Sequence, residues 1–221
     1  GYGCLLMNGG NYFEDLTAET NLAVVCGQYT GWGGILFDYD NDGFLDVFVA
    51  NGNAHHEYTE EDVLMRNEGY VGRKWKGRFE DVAVRSGPYF RQKYVGRGAT
   101  CGDYDNDGDL DLLIVNLNDS PRLLRNDSPG ENHWLKVEAR LPGGKSDAVG
   151  ARITVRTGSL VQAHDLMPVT GYLSQADPRP HFGLGKAKVA ESVRIRWPDG
   201  RTTELENVEA GQILTVVQEA R

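Results

Sequence analysis

The chain has 221 residues, with 32 Asp and Glu against 23 Lys and Arg and a formal net charge of -9. Excess carboxylate with no basic run argues against a nucleic-acid surface, which must neutralise phosphates with Lys and Arg. A mean hydropathy of -0.46, with no apolar run near the ~20 residues of a spanning helix, gives no membrane span.

Glycine accounts for 28 residues, well above its usual ~7% share, a composition that suits short strands joined by tight turns. No basic-then-apolar leader precedes Gly1, so the start reads as processed or truncated, with its targeting information hidden. Cys4, Cys26 and Cys101 lack metal-ligand spacing and read as small buried hydrophobes, with a Cys4 to Cys26 disulfide left open.

In chain order, an internal repeat dominates. Gly31 to Asn51, GWGGILFDYDNDGFLDVFVAN, recurs as Gly96 to Asn116, GRGATCGDYDNDGDLDLLIVN, with 11 of 21 positions identical. Phe13-Glu14-Asp15-Leu16 recurs as Phe79-Glu80-Asp81-Val82. Leu5-Leu6-Met7-Asn8 recurs as Leu64-Met65-Arg66-Asn67 and as Leu123-Leu124-Arg125-Asn126. These give two complete units, about 1–62 and 63–128, and the opening of a third. Apolar segments such as Gly33 to Phe37, Val47 to Ala50 and Leu112 to Val115 are short and bounded by Gly, Asn and Asp, as strands are. About four strands fit each unit, the content of one propeller blade.

Between two strands of each unit lies an Asp-rich loop, Asp38-Tyr39-Asp40-Asn41-Asp42-Gly43-Phe44-Leu45-Asp46 and Asp103-Tyr104-Asp105-Asn106-Asp107-Gly108-Asp109-Leu110-Asp111. Carboxylates at positions 1, 3, 5 and 9 repel unless a hard cation gathers them, and Gly at position 6 permits the sharp turn. The pattern predicts two Ca²⁺ sites. The first uses Asp38, Asp40, Asp42 and Asp46 with the carbonyl of Phe44; the second uses Asp103, Asp105, Asp107 and Asp111 with the carbonyl of Asp109. An EF-hand would place a bidentate Glu at position 12, where this chain has Val49 and Ile114 between strand-like flanks. Mg²⁺ suits the loops less well, because it prefers fewer protein ligands.

These loops, with the Gly-x-Gly before them and the Leu-Leu-Arg-Asn and Phe-Glu-Asp-Val elements, resemble FG-GAP/VCBS repeats, the blades of integrin-α-type propellers. The resemblance covers roughly residues 1–128 and implies an all-β propeller in which calcium stabilises the blade loops and the fold serves recognition or adhesion. Closed propellers need about four to eight blades, so two imply a longer protein or blades supplied from elsewhere.

His55-His56-Glu57 and Glu60-Glu61-Asp62 read as solvated loop runs. Beyond the boundary at Ser128-Pro129-Gly130 the repeat stops and the charge balance changes: residues 1–128 carry a net -10, residues 129–221 a net +1. Trp134 to Leu141, Ala151 to Arg156, Val193 to Trp197 and Gln212 to Gln218 read as strands, and Trp197-Pro198-Asp199-Gly200-Arg201 as a hairpin turn. The arrangement predicts a small β-sandwich or barrel. Arg152, Arg156, Arg194 and Arg196 alternate so as to share one sheet face, either docking on an acidic surface or simply solvated, and His181 reads as packing its turn.

Gly150-Ala151-Arg152, Gly171-Tyr172-Leu173-Ser174-Gln175, His181-Phe182-Gly183-Leu184-Gly185 and Trp197-Pro198-Asp199-Gly200, in that order, resemble an ASPIC/UnbV domain over 129–221. No catalytic motif appears, so the chain reads as a non-enzyme. The expected function is an extracellular or periplasmic, calcium-stabilised interaction or adhesion module that binds a protein or a glycan. The alternatives are a structural subunit of a surface assembly or filament, completed by further blades, and a carbohydrate-active hydrolase.

Overall fold

The computed structural model describes residues 4–55, 58–71, 74–75, 77–128, 130–167, 169–171 and 174–220. His56, Glu57, Pro129, Tyr172 and Leu173 of the motifs above lie outside them.

The chain is all-β apart from short helical turns. It opens with a hairpin, β1 (Leu6–Asn8) and β2 (Phe13–Asp15), followed by one helical turn, α1 (Leu22–Cys26). Then come β3 (Gly31–Phe37), β4 (Asp46–Asn51), β5 (Val63–Asn67), the small pair β6 (Tyr70–Val71) and β7 (Lys74–Trp75), and β8 (Phe79–Asp81). Strands β3-β4-β5-β8 form one four-stranded antiparallel sheet. After two 3-10 turns, β9 (Gly96–Gly102), β10 (Asp111–Asn116) and β11 (Arg122–Leu124) form a second sheet in the same meander order. The Leu-x-Arg-Asn segments, which open each sequence unit, are therefore the third strands of the preceding sheets, β5 and β11. The sequence period and the sheets are out of phase.

Opposite faces of the repeat meet between the two blades. The first presents Ile35, Phe37, Phe48 and Ala50, and the second presents Ala99, Cys101, Leu112 and Ile114, which are equivalent to positions 34, 36, 47 and 49. The flip follows from the period-2 alternation of side chains: stacked sheets touch through one face each, and consecutive copies use different ones. The far face of the first blade, with Val63, Met65 and Phe79, is covered by Leu22 and the α1 region. The far face of the second stays open, with Leu113 41%, Val115 50% and Leu123 52% exposed.

The C-terminal part contains β12 (His133–Arg140), β13 (Arg152–Thr157), β14 (Leu160–Asp165), β15 (Val169–Gly171), β16 (Ser174–Gln175), β17 (His181–Gly185), β18 (Val189–Arg196), β19 (Thr202–Glu209) and β20 (Gln212–Val217). It is a sandwich. One sheet runs β14-β13-β18-β19 and the other β17-β12-β20, with β12 and β20 parallel. Leu135, Val137, Phe182 and Leu184 from the second sheet pack on Ile153, Val155, Val193, Ile195 and Trp197 from the first side of the core. The Trp197 to Arg201 turn joins β18 to β19 as expected: Gly200 has φ +88° and its N–H donates to the Trp197 carbonyl at 2.9 Å.

Two sequence expectations are corrected. Cys4 is exposed rather than buried, and none of the three cysteines forms a disulfide; Cys26 and Cys101 are half-buried, each packed against an apolar cluster. Glu60-Glu61-Asp62 is an internal clasp rather than a solvated run. Asp62 is buried, accepting from the Asn51 N–H at 2.7 Å and from the Tyr89 hydroxyl at 2.5 Å; Glu60 accepts from the Thr30 N–H and Glu61 pairs with Lys93. Burial moves the Asp62 carboxyl up to about 6. Charge runs usually stay wet because carboxylates lose hydration on burial; here backbone and hydroxyl donors replace it.

Candidate metal loops at the domain junction

Each Asp-rich loop connects the first two strands of its blade, β3 to β4 and β9 to β10, and both fold alike. Asn41 and Asn106 take left-handed conformations (φ 58° and 60°), followed by Gly43 and Gly108 at φ +93° and +98°. Asn tolerates this region better than most residues, and Gly adopts it freely. The ninth-position Asp holds the turn together. In the first loop Asp46 accepts from the N–H groups of Tyr39 (3.1 Å) and Asn67 (2.7 Å); in the second, Asp111 accepts from Tyr104 (3.0 Å) and Asn126 (2.8 Å). Asn67 and Asn126 also donate their side-chain amides to the carbonyls of Leu45 and Leu110. The recurrent Leu-x-Arg-Asn element thus clamps the loop from the last residue of the third strand in the first blade and from just beyond it in the second. Its recurrence in the sequence was the only signal of this role.

The structure brings together Asp38, Asp40 and Asp42 in the first loop, and Asp103, Asp105 and Asp111 in the second, each group offering ligand oxygens within 4.8 Å of one another. Asp46 and Asp107 lie outside these side-chain groupings; Asp42 and Asp107 receive the N–H groups of Phe44 and Asp109. The carboxyl of Asp109 instead accepts from the Asn41 amide at 2.8 Å, joining the two loops.

Burial without enough positive charge strains these carboxylates. Desolvation, with Asp42 beside it, raises Asp38 to about 8; desolvation raises Asp46 to about 9, and Asp42 and Asp109 to about 6. One tethered cation serves each loop. Arg66 lies 2.7 Å from Asp40 and 3.6 Å from Asp42, while the fully buried ammonium of Lys136 lies 2.7 Å from Asp103 and 3.7 Å from Asp177. Oδ1 of Asp40 and Oδ1 of Asp103 are buried with no hydrogen-bond partner. A buried unpartnered carboxylate oxygen is costly. Such oxygens, all hard and converging beside others, have the donor chemistry of a Ca²⁺ site, so the residues fit that ion.

Both loops lie beneath the C-terminal sandwich, which sequence reasoning did not foresee. Strands β12 and β17 are buried on both faces. Leu135, Val137, Phe182 and Leu184 enter the sandwich core, while Lys136, His181 and Gly183 face the blades. The Asn41 amide donates to the Gly108 carbonyl and to Asp109, leaving its oxygen to accept from His181 Nε2 at 2.7 Å. The Gly185 N–H donates to the Asn41 carbonyl, the Asn132 amide to the Asp40 carbonyl and the Arg179 guanidinium to Asn106. Gly183 passes so close to the first loop that a Cβ there would sit 1.9 Å from Asp38 Oδ2. His55 is exposed, and Arg152, Arg156, Arg194 and Arg196 share the outward face of the β14-β13-β18-β19 sheet; His181, read from the sequence as packing its turn, instead starts strand β17, stacks on Trp134 and reaches the first loop.

Comparison with known families bears on this two-part build. The model of the FG-GAP-like repeat matches residues 38–114, from the first loop into β10, and the model described as ASPIC and UnbV matches residues 142–221. The chain is an FG-GAP repeat protein with an ASPIC/UnbV domain. It is similar to cartilage acidic protein 1 of Homo sapiens, 30% identical over 190 residues that cover 83% of this chain and 27% of the relative. It is likewise similar to cartilage acidic protein 1 of Mus musculus, 31% identical over 173 residues covering 76% and 25%. The chain thus spans about a quarter of the length of these relatives. In the FG-GAP part the matched segment carries both Asp-rich loops. Among the described residues no helix is long and apolar enough to cross a membrane.

Proposed function

We propose that this chain is a calcium-stabilised interaction module working outside the cytoplasm, in which ions in the FG-GAP loops hold the blades and the ASPIC/UnbV domain together. The observation that carries the reading is the pair of carboxylate loops at the domain junction, each with a buried, unpartnered oxygen, on Asp40 and on Asp103. Asp38, Asp40, Asp42 and Asp46 with the Phe44 carbonyl would hold one ion; Asp103, Asp105, Asp107 and Asp111 with the Asp109 carbonyl would hold the other. Calcium supplies positive charge that Arg66 and Lys136 only partly provide. Extracellular calcium, in the millimolar range, suits loops of modest affinity.

An ion that binds only the folded state adds about 2.7 kcal/mol per site at a hundredfold excess over Kd. Thermal unfolding in calcium and then in EDTA tests this: a clear drop in Tm on chelation, restored by calcium, is expected, and an unchanged Tm overturns it. The reading is of a binding protein rather than a catalyst, because the clustered carboxylates are engaged by backbone N–H groups and tethered cations.

A second reading, a subunit completed by further blades, draws on the open face of Leu113, Val115 and Leu123. A sheet face of this kind is covered in the first blade, where the equivalent Phe48 and Ala50 are fully buried. Size-exclusion chromatography with calcium tests it: association is expected, and a monomer at high concentration opposes it.

A further inference from the structure

We propose that the outer face of the β14-β13-β18-β19 sheet binds a linear anionic polysaccharide carrying sulfate or carboxylate groups. The proposal names the partner class of the interaction module proposed above and rests on that reading, but on none of the calcium loops.

The two central strands supply the positive charge. Arg152 and Arg156 lie on β13, Arg194 and Arg196 on β18, and all four are exposed. Arg152 stands directly opposite Arg196 in the register. Like charges in directly opposed positions destabilise a sheet, and an anion laid across them removes the penalty. Only Arg152 has an ion-pair partner among the described residues, Asp165 at 2.9 Å; Arg156, Arg194 and Arg196 have none there. Asp165 on β14 and Glu204 and Glu206 on β19 lie on the flanking strands, and Glu191, at the far end of β18, accepts from the Gly158 N–H. The face is therefore a basic stripe with acidic margins, running along the strands for about 14 Å from Arg152 to Arg156 at ~3.4 Å per residue. Such margins admit a single extended chain and repel a broad anionic surface.

The residues between the arginines decide the kind of partner. Thr154, Ser192 and Thr202 place hydroxyls on the same face, and no aromatic side chain points outward there. Protein interfaces concentrate their affinity in Trp, Tyr and Arg anchors seated in desolvated pockets; this face has arginines but no aromatic side chain and only Val161 as an exposed aliphatic beside Arg156. Guanidinium forks pair bidentately with two oxygens of a carboxylate or of a tetrahedral oxyanion such as a sulfate ester, and hydroxyls suit a hydrated sugar chain. The charge balance favours this part of the molecule: residues 1–128 carry a net -10 and repel a polyanion, whereas residues 129–221 carry a net +1.

The test is titration of the full chain, in calcium, with a heparin-derived hexasaccharide at low and physiological salt. Binding that weakens as salt rises is expected, with at least a tenfold loss in R194E/R196E and a modest gain in E204Q. These exposed substitutions leave the fold intact, which the far-UV spectrum and Tm check. No binding at low salt, or binding unchanged by R194E/R196E, overturns the proposal. Polyglutamate competing as well as the hexasaccharide also overturns it, in favour of an acidic protein surface. Failure here leaves the EDTA melting result untouched, so the two readings fall separately.

Discussion

The ammonium of Lys136, carried by the ASPIC/UnbV domain, lies 2.7 Å from Oδ2 of Asp103 in the second FG-GAP loop, and both side chains are fully buried. In the sequence, Leu135-Lys136-Val137 reads as ordinary alternation with the lysine facing water; in the fold, the water-facing side is the blade. Breaking a buried pair by removing one partner costs about 3–5 kcal/mol, because the other charge is left uncompensated. Lys136→Met is expected to lose that much in chemical denaturation, and the double variant K136M/D103N to recover part of it. A single variant as stable as the parent contradicts the pairing.

Gly183 is tied to Asp38 by contact. A Cβ there would meet Asp38 Oδ2 at 1.9 Å and the Asn41 backbone at 2.7 Å. Gly183→Ala is expected to destabilise by about 1–3 kcal/mol or more through overpacking and to expose the junction to protease. Gly34→Ala, where nothing lies within 4 Å of the added methyl, serves as the control and should move Tm little.

His181 should make the fold acid-sensitive. Burial, with Lys136 beside it, lowers its pKa from 6.5 to about 3; Nε2–H donates to Asn41 while Nδ1 is buried without a partner. The folded state therefore binds this proton later than the unfolded state does. Its contribution is fully present above pH 6.5 and is lost as pH falls toward 3, at about 1.4 kcal/mol per unit. Urea midpoints of the parent and His181→Gln at pH 7 and pH 5 check this: the parent should lose more stability than the variant over the interval, and equal losses would refute it.

The open blade face offers a contrast. Leu113→Thr with Leu123→Thr should change the stability of the isolated chain by no more than about 0.5 kcal/mol, since surface positions rarely matter more. Self-association should fall. A large loss of stability would show that this chain itself covers the face.

How much was legible in the residues depends on how far apart the partners lie. The Asp-rich loops and the Trp197 to Arg201 turn were readable because each is built within ten residues, from Asn and Gly at left-handed positions and carboxylates that accept nearby N–H groups. The sandwich was readable from the alternation of Ile153 and Val155 or Val193 and Ile195. The clamp by Asn67 and Asn126, the contact of His181 with Asn41 across 140 positions, and the burial of Lys136 were not. A lysine between two apolar residues gives the same pattern whether its far side meets water or a second domain. Asp62 misled for the same reason, since its donors Asn51 and Tyr89 are distant in the chain.

The phase shift between repeat and sheet has a practical consequence for dissecting this molecule. A fragment ending at residue 62, where the sequence copy ends, would keep β3 and β4 and lose β5 and β8, leaving the Asp46 carboxylate without the Asn67 N–H that fixes it. A cut after Asp81 preserves the sheet whole. The first blade is thus stitched from two sequence copies, and a unit cut at the repeat boundary carries an incomplete sheet.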